Sequence, residues 1–139
     1  MPPSVIVVGA SGSVGRPLML EFLAQKSKFG RVAVLSDPAK TARFDDIQAK
    51  GIEIVAGSFL ETKSYKGFEV VISLAGNAAM KLQPAMIDAA IAGGARHFIP
   101  SEFGADIAQN GIWKNRLRVL KFILSSLFSH VFPPTWVDF

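Results

Sequence analysis

The sequence predicts an α/β protein built on a doubly wound parallel sheet. Three observations carry that expectation. Short apolar runs recur along the 139 residues. Helix-like stretches separate them, and a string of three glycines directly follows the first run. Runs that are apolar nearly throughout, without alternation, are how strands buried on both faces read. Repeated strand–helix alternation implies a parallel sheet with helices on both sides. Right-handed crossovers then leave about six strands in the order 3-2-1-4-5-6 as the simplest topology.

The expected strands are 4–9 (SVIVVG), 31–36 (RVAVLS), 52–57 (IEIVAG), 69–76 (EVVISLAG), 96–100 (RHFIP) and 134–139 (PTWVDF). The stretch 14–27 reads as a helix with Leu18, Phe22 and Leu23 on one face. A second helix is expected over 39–51, stopped by Gly51. A third is expected over 80–95, with Leu82, Met86, Ala89 or Ala90 and Gly93 along one stripe and a Gly-Gly stop. The connection 57–68 reads as either a short helix or a loop. Residues 111–132 read as a long final helix whose apolar face carries Trp113, Leu117, Leu120, Leu124, Phe128 and Val131.

Composition narrows the function. Half of the residues are apolar (50%), enough for a compact core in a single domain of this length. With no cysteine there is neither a disulfide framework nor a thiolate metal site, and His97 and His130 stand too far apart in sequence to suggest a zinc centre. The start lacks a basic region before its apolar run, and no apolar stretch is long enough to span a membrane. A cytoplasmic protein is the default expectation. The net charge of +4 comes mainly from Lys114, Arg116, Arg118 and Lys121 in one late segment. That segment lacks any nucleic-acid-binding signature, so no nucleic-acid partner is expected.

The sharpest motif is GASGSVG, residues 9–15. Gly9 permits a tight turn, Gly12 lets the backbone approach a pyrophosphate, and Gly15 permits close helix–strand packing. Ser11, Ser13 and Val14 complete the loop, and the helix that follows offers N–H groups and a partial positive charge to phosphates. A strand before and a helix after make the string a dinucleotide-binding, Rossmann-like signal. The Gly15-Arg16-Pro17 continuation is not a P-loop ending.

The end of the second strand bears on cofactor choice. A carboxylate there suits the ribose of NAD, and a basic group suits the 2′-phosphate of NADP. Asp37 reads either as a carboxylate for the ribose of NAD or, followed by Pro38, as a helix cap; the cap is preferred, which leaves Lys40 and Arg43 to receive a 2′-phosphate beside Ser36. NADP(H) is therefore favoured over NAD(H). Leu74, Ala75 and Gly76 end the fourth strand with small residues at the switch point, where ligands bind in such sheets.

With GASGSVG, EVVISLAG and GARHFIPSEFGAD in hand, the chain resembles the NmrA-like and isoflavone-reductase-like branch of the atypical short-chain dehydrogenases, its fungal members above all. The Phe98–Gly104 string is the most specific mark. The resemblance implies NAD(P)H binding and, in many members, hydride transfer to aromatic or benzylic-ether molecules. It implies that Ser101, Glu102 and Phe103 border the nicotinamide end of the site. It also implies a proton-handling lysine on the following helix, where Lys121 falls closest and Lys114 is the other option. Ser36 stands where the reductases usually carry an arginine, and NRLRVLKFIL replaces an aromatic-rich pattern around the lysine. Members run about twice this length, so residues 1–139 correspond to the cofactor-binding domain with the substrate region absent. Apolar surface left uncovered in that case predicts self-association. The resemblance equally admits a non-catalytic dinucleotide sensor that binds a protein partner, or an inactive fragment.

Overall fold

The computed structural model of the chain describes residues 1–101. Five strands, β1 (Ser4–Val8), β2 (Arg31–Ser36), β3 (Glu53–Ala56), β4 (Val70–Ser73) and β5 (His97–Ile99), form one parallel sheet in the order β3-β2-β1-β4-β5. This is the predicted order as far as the described residues reach. The sixth strand expected over 134–139 and the helix expected over 111–132 lie outside them.

The pleat explains the sequence pattern. Val5, Val7, Val32 and Val34 point to one face and pack with Met19, Phe22, Phe44, Ile47 and Ile52 in a single buried cluster. Ile6, Ala33 and Val71 take the alternate positions and are fully buried as well. Covering both faces is why these strands read as unbroken apolar runs. The first face is covered by α1 (Gly15–Ala24) and α2 (Asp45–Gln48). On the second lie α4 (Gln83–Ala92) and a 3₁₀ turn, Thr62–Tyr65, which pack on each other through Gly93 and Tyr65. That turn resolves the irregular connection at 57–68.

In α1, Leu18, Phe22 and Leu23 face the buried cluster as expected, Leu18 and Leu23 partly buried, and the deepest residue is Met19, fully enclosed. A thioether chain of this size gains about 1.5–3 kcal/mol on burial. The helix expected over 39–51 is a 3₁₀ segment, Pro38–Phe44, followed by the single turn of α2. Phe44, at φ −112° and ψ 7°, breaks the two apart. Gly51 does close the segment as expected, with φ at +96°. The helix expected over 80–95 is α4, three residues shorter at each end, with the single turn of α3 (Asn77–Met80) ahead of it. Pro84 sits in the first turn of α4, where its missing N–H costs nothing, and so marks a start rather than an interior. The expected stripe holds at Met86, Ala89, Ala90 and Gly93, with Gln83 and Ile87 buried as well; only Leu82, which precedes α4, departs from it and is 41% exposed.

Candidate functional site

Parallel register gathers the strand ends on one rim. Val8 stands opposite both Leu35 and Ser73, and Ile72 opposite Ile99. The chain leaves β1 toward β2 on one side and reaches β4 on the other, so the crevice between the ends of β1 and β4 is the switch point. The glycine loop lies there.

Its three glycines serve different ends. Gly9 has φ +81°, and a Cβ on it would lie 2.6 Å from the Leu74 carbonyl oxygen. A Cβ on Gly15 would lie 2.5 Å from the carbonyl carbon and oxygen of Ala10. Both are required by the packing of the chain on itself. Gly12 is not: a Cβ there would meet only the Gly9 carbonyl oxygen, at an ordinary 3.6 Å. The residue is exposed, as are Ser11, Ser13 and Val14. No side chain caps α1, and its first turn holds no acidic residue. An exposed, uncapped helix N-terminus beneath a glycine without a packing role fits the diphosphate of a dinucleotide.

At the end of β2, Ser36 is buried and its hydroxyl donates to the Asp37 carbonyl at 3.1 Å. The Asp37 carboxylate accepts from the Ala39 N–H at 2.8 Å, ahead of Pro38 in the first turn, which is the predicted cap. Lys40 and Arg43 are exposed on that segment. The Arg43 guanidinium reaches the Ser11 hydroxyl at 3.4 Å, so two of the predicted residues meet across the loop.

The end of β4 forms the other wall. Leu74 donates its N–H to the Val8 carbonyl at 2.8 Å, Ala75 is buried, and a Cβ on Gly76 would meet nothing. The Ser101 hydroxyl donates to the Ala75 carbonyl at 2.8 Å, and the Ser101 N–H donates to the Gln83 side-chain oxygen at 2.8 Å. Ser101 therefore fixes the wall from behind. Glu102, Phe103, Lys114 and Lys121 lie outside the described residues. Among the described residues, no three His, Asp or Glu side chains group closely enough to hold a metal ion.

Two contributors were not predicted. Gln83, buried at the start of α4, joins β5 to the Ala75 wall. Arg16 spans from α1 to the Arg43–Asp46 region. Its guanidinium donates to both carboxylate oxygens of Asp46 at 3.0 Å and to the Arg43 carbonyl, and lies 5.6 Å from the centre of the Phe44 ring. The Arg16 hydrogen bond, assisted by its charge, holds the Asp46 carboxyl below the usual carboxylate range. Pro84 and the basic residue after the third glycine were visible signals, but their partners lie too far along the chain to be read from spacing.

Comparison with known proteins agrees with this architecture. A model of the NmrA-like family matches residues 1–118. The isoflavone reductase homolog IRL of Zea mays is 33% identical over 120 residues, covering 78% of this chain and 38% of that protein. The oxidoreductase aprR of Aspergillus flavus is 34% identical over 112 residues, covering 80% of this chain and 37% of that one. The chain thus spans less than two fifths of the length of these relatives. Among solved structures, the binary complex of leucoanthocyanidin reductase with NADPH from Vitis vinifera is 25% identical with a TM-score of 0.66, over 88% of this chain and 46% of that one. AtPrR2 with NADP+ and (+)pinoresinol shares the fold, with a TM-score of 0.69 at 24% identity over 91% of this chain and 47% of that one. The match over residues 1–118, joined to a Rossmann-like sheet with its glycine loop at the switch point, shows that the chain belongs to the NmrA-like family.

Proposed function

We propose that this chain is the NADP(H)-binding portion of a reductase for aromatic small molecules of the benzylic-ether type. The observation that carries the reading is Gly12, a glycine with no packing role at the exposed, uncapped start of α1. Relatives named for phenylcoumaran benzylic ether reduction support the substrate class.

In this reading the exposed loop before α1 and the positive end of that helix, with the Ser11 and Ser13 hydroxyls, hold the diphosphate, and Gly12 and Val14 leave its approach open. Ser36 closes the floor at the end of β2. Arg43 and Lys40 receive the 2′-phosphate, while the Asp37 carboxylate is engaged as a cap and so competes little for a ribose hydroxyl. Leu74, Ala75 and Gly76 line the nicotinamide side, with Ser101 bonded to the Ala75 carbonyl; the roles assigned to Glu102 and Phe103 rest on the family resemblance alone. When bound, a reduced nicotinamide would supply a hydride to the benzylic carbon as its C–O bond breaks, leaving an oxidised nicotinamide and an ether oxygen that takes up a proton. Lys121 handles the accompanying proton, which requires a neighbouring charge or burial to bring its pKa toward neutrality.

Calorimetric titration of the 139-residue chain with NADPH and NADH separately tests the binding claim. NADPH is expected to bind more tightly. Arg43→Ala should cost NADPH about tenfold, the worth of one partly exposed charge-assisted hydrogen bond, and NADH little. Absence of binding for both dinucleotides overturns the reading. For the chemistry, NADPH oxidation in the presence of a benzylic-ether substrate should fall sharply in Lys121→Ala, and an unaffected variant removes that assignment.

A further inference from the structure

We propose that Arg16 is a positioning residue for dinucleotide choice: it holds Arg43 in place beside the glycine loop. The inference rests on the NADP(H) reading above and adds a residue that acts through Arg43.

Arg16 follows Gly15 directly and belongs to α1, whereas Arg43 belongs to the 3₁₀ segment after β2. The two segments are joined in both directions. Outward, the Arg16 guanidinium donates to the Arg43 main-chain carbonyl, to both oxygens of Asp46 at 3.0 Å, and lies over the Phe44 ring. Phe44 is buried and Asp46 is exposed, so the guanidinium is bounded by an apolar anchor on one side and a charged one on the other. Back again, the Arg43 side chain leaves from that gripped carbonyl unit and reaches Ser11 at 3.4 Å. The result is a closed ring: loop, Arg16, Arg43 backbone, Arg43 side chain, loop.

Two physical consequences follow. A gripped backbone reduces the conformational freedom that Arg43 must lose when it engages an anion, and that loss otherwise opposes binding. Arg16 also occupies the Asp46 carboxylate. Left unpaired, that carboxylate would compete for the Arg43 guanidinium and repel a phosphate. Both effects act on the 2′-phosphate and neither acts on a ribose hydroxyl. A planar fork is needed to meet the Asp46 carboxylate and the Arg43 carbonyl together, which an ammonium does not provide.

The test is the ratio of NADPH to NADH affinity in the 139-residue chain, measured by calorimetry alongside thermal unfolding. Arg16→Gln is expected to weaken NADPH roughly three- to tenfold, the cost of freeing one long side chain, with NADH changed less than about twofold. Arg16→Lys should recover only part of the ratio. In an Arg43→Ala background, Arg16→Gln should leave the ratio unchanged, because nothing remains to be positioned. Equal weakening of both dinucleotides, or an Arg16→Gln effect on the ratio that persists without Arg43, overturns the proposal. A parent chain that prefers NADPH while Arg16→Gln keeps the ratio overturns it alone. A parent chain that binds neither dinucleotide overturns the NADP(H) reading and this one with it.

Discussion

Alanine at each glycine of the 9–15 loop should separate folding from binding. At Gly9 the new Cβ meets two penalties. A backbone at φ +81° costs an L-residue about 1–2 kcal/mol. The 2.6 Å approach to the Leu74 oxygen adds an overpacking cost of about 1–3 kcal/mol, because the obstacle is backbone of the neighbouring strand end and cannot rotate away. The total, roughly 2–5 kcal/mol, is a large share of the roughly 5–15 kcal/mol that holds a domain folded. Gly15→Ala carries only the packing penalty, since Ala10 backbone lies 2.5 Å away, and should cost about 1–3 kcal/mol. Gly12→Ala meets one atom at 3.6 Å and should stay within about 0.5 kcal/mol of the parent. Its methyl group nevertheless stands where the diphosphate must approach, so NADPH affinity should fall at least about tenfold. Urea denaturation followed by far-UV circular dichroism reads stability, and calorimetry reads binding. If Gly12→Ala lowers stability as much as Gly9→Ala, or binds NADPH as the parent does, the assignment of Gly12 to the ligand is wrong.

Other residues offer independent checks. Gln83→Leu leaves the Ser101 N–H buried without its acceptor and should cost about 1–3 kcal/mol in urea denaturation; a neutral result would show that the Gln83–Ser101 link carries no stability. Tyr65 is fully buried, and burial pushes its phenol up from the ordinary tyrosine value. The folded state therefore favours the protonated phenol: this contribution is complete below the ordinary value and is lost as pH rises through the folded one. Alkaline denaturation of Tyr65→Phe should be correspondingly shallower than that of the parent. The same substitution removes the hydroxyl that donates to the Phe59 carbonyl, so at neutral pH it should cost about 1 kcal/mol.

Local signals made the sheet legible. Strands covered on both faces lose the alternation of a half-exposed strand, and β1 and β2 show this most plainly, with every residue from Val5 to Val8 and from Val32 to Ser36 buried. Asp37-Pro38 was readable as a cap because the interaction spans two residues. The segment after β2 reads as one helix in the sequence, but tertiary demands divide it. Phe44 and Ile47 must both enter the core, and the Arg43 carbonyl is engaged by Arg16 rather than left wholly to the helix ladder. Pro84 signals the start of α4 locally, whereas the burial of Gln83 depends on its bond to Ser101, 18 residues away. The same division holds at the site. The glycines and the basic residues after β2 have short-range signatures, whereas Arg16–Asp46 and Gln83–Ser101 depend on contacts across the fold.

The strand order also carries a consequence for biosynthesis. β1 is central: its Val5 pairs with Val32 of β2 on one side and with Val70 of β4 on the other. A ribosome makes β1 first, so one edge of the most apolar strand stays open until β4 has emerged. Parallel pairing offers no local hairpin to cover it in the interval. The nascent chain therefore carries an exposed, sticky strand through much of its translation, the kind of segment that chaperones shield and that aggregates when they are scarce. Slowing elongation between β1 and β4 should lower soluble yield more than slowing it after β4.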